Sequence, residues 1–185
     1  MRIISGIAKG TKLYTLDGNN TRPTLDRIKE PLFSIIQNRI KNAIVLDLFS
    51  GSGALALESL SRGAKKAYLC DNSYKAIDVI KKNIEKTHFE NKANLIYKDY
   101  KKCLNYIEEK IDLIFIDPPY EANIAVRALE IIIEKDMLTE DGLIIIETDD
   151  EKRELEQIKK IENEIKLCDL RTYGRVKLLF LSREG

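Results

Sequence analysis

The run Ile116-Asp117-Pro118-Pro119-Tyr120 places an acid, two prolines and an aromatic directly behind a short apolar segment. Consecutive prolines stiffen the backbone and remove two N–H donors, which leaves carbonyls and the Asp117 carboxylate as acceptors. Such a site suits a flat guest rich in donors. The exocyclic amine of a purine offers two N–H groups beside a π-face, on which Tyr120 can stack for about 1–3 kcal/mol. The plain alternative is a strand stopped by prolines, with a tyrosine on the surface.

A second chemical signal lies upstream, in Asp47-Leu48-Phe49-Ser50-Gly51-Ser52-Gly53-Ala54. Gly51 and Gly53 let the chain turn tightly against a ligand, and a helix starting near Ala54 presents free N–H groups. Gly51 to Ala56 also reads as G-x-G-x-x-A, with Asp71 about 20 residues downstream, the dinucleotide spacing. Asp71 can accept from the ribose of either NAD or S-adenosylmethionine. Asp47 separates the two, because it repels a pyrophosphate and suits the ammonium of a methionine moiety.

These residues need a frame that brings them together. From residue 43, β-branched runs alternate with amphipathic segments, the pattern of βα repeats with a parallel sheet buried on both faces. Strands are expected at Ala43–Phe49, Lys66–Asp71, Ala93–Asp99, Ile111–Asp117 and Gly142–Thr148. Helices are expected at Ala54–Arg62, Ser73–Phe89, Tyr100–Glu109, Ile124–Leu138 and Glu151–Glu162, with Gly63 as a stop and Ser73 as an N-cap. Ile165–Arg171 and Val176–Leu181 are joined through Tyr173-Gly174-Arg175, a link so short that they must be antiparallel. Asp47, Asp71, Asp99 and Asp117 then end four strands at one carboxyl edge, where open α/β sheets collect ligands. Before residue 43 the reading changes. Arg2–Ser5 and Lys12–Leu16 read as short strands around Gly6 to Gly10, and Thr24 can cap a helix running to Arg39. Pro31 interrupts that helix, so Asp26–Glu30 and Pro31–Ile40 are expected as separately placed turns.

Composition limits the remaining possibilities. At 185 residues, 44% hydrophobic and 33% charged, the chain suits one cored α/β domain and excludes disordered and fibrous classes. The net charge of +1 hides an asymmetry. Residues 1–45 hold eight Lys/Arg against three acids, and the remainder holds 23 against 27. A basic amino-terminal segment on an acidic domain fits an arm that touches phosphates, or equally a solvated basic surface. No apolar run reaches the ~20 residues of a membrane span, and the amino end lacks a signal-peptide core, so a soluble cytoplasmic monomer is expected. Cys70, Cys103 and Cys168 lie far apart and read as buried thiols. With His88 as the single histidine, reading as a helix-end cap, no metal site is expected.

The tetrapeptide Asp117-Pro118-Pro119-Tyr120 resembles the signature of class I, S-adenosylmethionine-dependent amino methyltransferases. Further motifs sharpen the likeness: Arg22-Pro23-Thr24 with Asp26, Arg27 and Glu30, then Leu46 to Leu55, Glu58, and Ser61-Arg62-Gly63-Ala64. Together with the opening Met1 to Gly6, they are similar to the bacterial RsmD family of 16S ribosomal RNA guanine-N2 methyltransferases, essentially end to end. The resemblance implies a Rossmann-like, seven-stranded, mainly parallel sheet closed by an antiparallel hairpin, spanning residues 42–185. Residues 1–41 would form a β-hairpin and helical segment on the RNA side. It implies Asp117, Pro118, Pro119 and Tyr120 as the base-amine site. Asp47, Phe49, Ser50, Gly51, Gly53, Asp71, Asn72, Asp99 and Tyr100 would contact S-adenosylmethionine. Arg2, Lys9, Lys12, Arg22 and Arg27 would face 16S ribosomal RNA, free or within the small subunit; Arg22 and Thr24 are alternatively placed against the cofactor carboxylate. Rival readings are adenine N6 in DNA or a glutamine amide as acceptor, a nicotinamide dehydrogenase, and an inactive RNA-binding module.

Overall fold

Residues alternate between two apolar layers along each central strand. Val45, Leu113, Phe115, Leu143 and Ile145 enter one layer, while Leu46, Ile114, Ile116, Ile144 and Ile146 enter the other. A strand whose successive side chains are all buried must be covered on both faces, and the molecule is a sheet between two helical layers. The structure is a computed structural model that describes residues 1–16, 23–118, 123–161 and 163–183, with only the backbone described for 23–27.

The strands are β1 (Ile44–Asp47), β2 (Lys66–Asp71), β3 (Ala93–Tyr97), β4 (Ile111–Ile116), β5 (Leu138–Thr148), β6 (Lys166–Tyr173) and β7 (Val176–Ser182). Their order is β3-β2-β1-β4-β5-β7-β6. The first five are parallel, and β7 enters antiparallel between β5 and β6. This is the class I methyltransferase fold. The helices are α1 (Pro23–Ile35), α2 (Ala54–Ser61), α3 (Tyr74–Thr87), α4 (Tyr100–Tyr106), α5 (Ile124–Glu134) and α6 (Glu151–Ile158). Apolar residues of α1, α2 and α3 fill one layer together with Ile3 and Leu13, and those of α4, α5 and α6 fill the other. No helix among the described residues is long and apolar enough to cross a membrane.

Chain direction fixes where a ligand can sit. From β1 the chain winds outward through β2 to β3, then returns to β4 on the other side of β1. The crevice between the carboxyl ends of β1 and β4 is therefore the topological switch point.

Four expectations need correction. Pro31 does not divide the first helix: α1 continues through it to Ile35, and Gln37–Arg39 forms a short 3-10 turn. Ile28 and Leu32, spaced i,i+4 across the proline, are both buried, with Phe33 and Ile36 beside them, so packing holds the helix despite one missing backbone bond. The amino-terminal strands reduce to a single bridge, Arg2 to Lys12, supported by bonds from Ile3 N to Thr11 O and Leu13 N to Met1 O, both 3.0 Å. Helix α5 stops short of Leu138 because Asp136 takes a positive φ of 51°, and Leu138 instead starts β5. Cys70 and Cys103 are buried, but Cys168 is exposed on the edge strand β6, at an irregularity in its pairing with β7. His88 caps the carboxyl end of α3 in the left-handed conformation.

Candidate active site at the carboxyl edge of the sheet

The site begins with the turn that leaves β1. Ser50 N donates to Cys70 O at 2.9 Å, and Ser50 Oγ donates to Asp47 O at 2.7 Å, which folds the chain back over the end of its own strand. Gly51 takes φ +55° and Gly53 φ +78°, and Gly53 is the N-cap of α2. A Cβ on Gly53 would stand 2.9 Å from Leu69 Cδ2, so a side chain there is excluded by both conformation and space.

Asp71 holds this turn rather than standing free. Its Oδ2 accepts from Gly51 N at 2.9 Å and its Oδ1 from Ser73 N at 2.8 Å. A carboxylate has further lone pairs, so these bonds still leave it able to accept from a hydroxyl. Asn72, next to it, is exposed.

Asp47 is 3% exposed, and its Oδ2 accepts a long 3.4 Å bond from Ala56 N. Burial pushes its carboxyl up to about 8; the Ala56 N–H opposes this, while the charges of Asp117 and Asp71 add to it. Three of the four acids expected at the edge thus feel one another. Asp99 does not belong with them as a strand end. It lies two residues beyond β3 as the N-cap of α4, accepting from Lys102 N at 3.0 Å, and that backbone bond holds its carboxyl below the usual range. Tyr100 follows it, and its ring lies 5.8 Å from that of Phe49 at 42°.

A buried carboxylate with one weak donor and acidic neighbours is a place for a cation. The ammonium of an amino-acid moiety supplies one, and the turn beside it has no side chain at Gly51, where a Cβ would enter open space, to obstruct a close approach. The chemistry of the residues present therefore fits S-adenosylmethionine, which carries both an ammonium for such an acid and ribose hydroxyls for an acceptor.

On the far side of the switch point, Asp117 and Pro118 follow β4 and are half-buried. With Lys29, Glu147 and apolar residues including Leu55 and Phe115, Asp117 lines a narrow pocket of about 10 Å³ beneath the edge. Pro119, Tyr120 and Arg22 lie outside the described residues, as does the side chain of Arg27.

Arg2, Lys9 and Lys12 are exposed and line one open groove with Glu30. The segment carrying them runs along α2. Ile4 N and Ser5 N donate to the two Glu58 carboxylate oxygens at 2.8 and 3.1 Å, and Ile7 N donates to Ser61 O at 2.9 Å. Its turn therefore lies at the carboxyl end of α2. Its open end, with Met1 beside Ser52, lies at the glycine turn.

Sequence reasoning gave no role to two residues that hold this arrangement. Glu58 is the one charged residue in the apolar run Ala54–Leu60, which is itself a signal of a buried partner. Asn83 is the polar residue among Ile77, Ile80 and Ile84 on the buried side of α3. Its Oδ1 accepts from Tyr14 N at 2.7 Å, and its Nδ2 donates to Tyr14 O at 3.0 Å and Ser52 O at 2.8 Å.

Comparison with known proteins agrees with this fold. The family described as Conserved hypothetical protein 95 matches residues 1–182. A Bacillus subtilis protein named "Putative rRNA methyltransferase YlbH" is 34% identical over the whole of both chains. Ribosomal RNA small subunit methyltransferase D of Haemophilus influenzae is 34% identical over 82% of this chain and 80% of its own. The solved structure described as "Putative methyltransferase yhhF from Escherichia coli" superposes with a TM-score of 0.84 at 28% identity, covering 100% of this chain and 98% of that one. With the acids and the glycine turn at the switch point of this sheet, the chain belongs to the Conserved hypothetical protein 95 family, the RsmD/YlbH family of S-adenosylmethionine-dependent methyltransferases.

Proposed function

We propose that the protein transfers a methyl group from S-adenosylmethionine to the exocyclic N2 amine of a guanine in 16S ribosomal RNA. The observation that carries this reading is the position of Asp117 and Pro118 at the end of β4, across the switch point from Asp47 and the glycine turn. The relatives named as small-subunit ribosomal RNA methyltransferases support the choice of substrate.

A guanine N2 is out of reach inside a helix, so the base must be swung out to the carboxyl edge beside Asp117. Asp117 and the Pro118 carbonyl then accept the two N2 protons. Those bonds hold the nitrogen lone pair away from the ring and aim it outward. When bound, S-adenosylmethionine supplies an electrophilic methyl carbon on sulfur, which the amine takes with release of S-adenosylhomocysteine. Asp117 need not be a strong base, because the methylated amine gives up its proton readily to the carboxylate or to water. Positioning and electrostatics do most of the work. Tyr120 would stack on the base, and Arg2, Lys9, Lys12, Arg22 and Arg27 would hold phosphates, which position RNA without reading its sequence.

The test is tritium transfer from labelled cofactor to undermethylated small subunits, naked 16S RNA, DNA and a glutamine-containing peptide. Label in the ribosomal substrates is expected. Asp117→Ala should abolish it while calorimetry with S-adenosylhomocysteine stays near wild type. Label confined to DNA or peptide would overturn the substrate, and equal loss of cofactor affinity would overturn the role of Asp117.

A further inference from the structure

Tyr14 combines a locked backbone with an open side chain. Both of its backbone groups are bonded to the fully buried Asn83 amide, yet the residue is 50% exposed. Lys86 on α3 places its ammonium 4.3 Å from the centre of the Tyr14 ring, against one face. Lys82, one turn back on α3, pairs with Asp78 at 2.7 Å. Asp78 raises the Lys82 ammonium, first of all through that hydrogen bond. Tyr74 is 72% exposed.

Position gives this patch its meaning. Tyr14 stands at the open end of the amino-terminal segment, because the amide that holds its backbone also bonds Ser52 of the glycine turn. Arg2 and Lys12 meet at the bridge two residues earlier and line the open groove together with Leu13, the residue before Tyr14. A cationic groove whose lining stops one residue short of an exposed ring beside lysines matches single-stranded nucleic acid, whose phosphates follow the charges while a base takes the ring.

We infer that Tyr14 is a stacking platform for an unpaired base of the RNA substrate, with Lys86 serving the adjoining phosphate, beside the cofactor turn. The inference rests on the RNA reading above and adds a contact to it. Lys86 shields one ring face, so the base takes the other. Asp78 neutralises Lys82, which leaves Lys86 as the cation of the platform. Because the backbone of Tyr14 is pinned, the ring meets the base without ordering a loop, and little of the stacking energy is lost to entropy.

The experiment is fluorescence anisotropy with a labelled, unstructured oligoribonucleotide, alongside methyl transfer to undermethylated small subunits. Tyr14→Ala should weaken RNA binding about thirtyfold, the middle of the range for loss of one base–aromatic stack. Tyr14→Phe, which keeps the ring, should stay within about twofold on the same scale. Lys86→Gln should weaken binding and reduce the slope of log affinity against log salt by about one. For the ribosomal substrate, Tyr14→Ala should raise KM and leave kcat near wild type. Calorimetry with S-adenosylhomocysteine checks the fold, since the Tyr14 backbone bonds survive the substitution. Wild-type affinity in Tyr14→Ala, or equal loss in Tyr14→Phe, overturns the platform and leaves the methyltransferase reading intact. A wild-type protein that neither binds nor methylates RNA overturns both.

Discussion

Lys29 of α1 and Glu58 of α2 lie 3.4 Å apart with both side chains at zero exposure, and Glu58 also bonds Ile4 N, Ser5 N and Arg62 Nε. One buried carboxylate thus joins two helices to the amino-terminal segment, while Lys29 donates to the Arg2 carbonyl on the same segment. A buried charge of this kind is tolerated only with its partners in place.

Glu58→Ala removes a buried ion-pair partner of Lys29 and frees two backbone donors. The expected loss is about 3–5 kcal/mol, the usual range for breaking a buried pair from one side. A chain of this size melts about 2–4 °C lower per kcal/mol, so thermal denaturation should shift by roughly 10 °C. Hydrogen exchange should report the same change locally, with faster exchange at Ile3, Ile7 and Leu13. A shift below about 2 °C would mean that the segment is held by its apolar contacts through Ile3 and Leu13 alone.

Two kinds of information separate what was legible in the sequence from what was not. The alternating strands, the glycine turn and the Asp117-Pro118 corner were legible because each is written in adjacent residues. Val45 and Leu46 face opposite layers by pleat geometry alone. Asp99 was legible as the acid after the third strand but not as a cap, because an acid there reads equally as a strand end or as the N-cap it forms on the next helix. The pairing of Tyr14 with Asn83 spans 69 positions, and no local pattern specifies which backbone a buried amide will meet. Pro31 misled for the opposite reason. Its local preference is real, and packing outside its neighbourhood overrode it.

That override can be measured. Pro31 sits in the interior of α1, where it withholds one backbone donor. If the helix is already in place, Pro31→Ala restores that bond without moving anything. Relief of a helix-interior proline is worth about 3 kcal/mol, less about 1 kcal/mol for the freer unfolded chain, so a net gain of about 2 kcal/mol is expected in denaturant unfolding. Destabilisation by Pro31→Ala would show that the helix depends on the proline.

Asn83 offers a sharper test of how the amino-terminal segment and the cofactor turn are coupled. Asn83→Ala strips partners from Tyr14 N, Tyr14 O and Ser52 O at once. Loss of buried partners costs about 1–3 kcal/mol for each group left unsatisfied, and more than one is left here. Because Ser52 belongs to the glycine turn, affinity for S-adenosylhomocysteine should fall as well, although Asn83 stands behind the turn. Asn83→Asp keeps the acceptor and loses the donors, so it should preserve the Tyr14 N bond and still weaken cofactor binding. Unchanged cofactor affinity in both variants would uncouple the two regions.

Asp47 makes a prediction about protons. Its folded-state pKa of about 8 lies above the ordinary 3.8, so between those values the native state holds a proton that the unfolded chain has released. Its contribution to stability therefore falls as pH rises through that window and is at its least above the folded value. Asp47→Asn has no such dependence, so wild type should lose more stability than the variant between about pH 5 and about pH 9 in parallel melts. Groups elsewhere titrate alike in both proteins and cancel in the difference. The same proton bears on the cofactor. At neutral pH the free protein holds Asp47 mostly protonated, and an ammonium placed beside it favours the carboxylate. Binding S-adenosylhomocysteine should then release up to about one proton, visible as binding enthalpy that varies with the ionisation enthalpy of the buffer. Asp47→Asn should bind more weakly and without that dependence. Buffer-independent enthalpy in the wild type would place the ammonium away from Asp47.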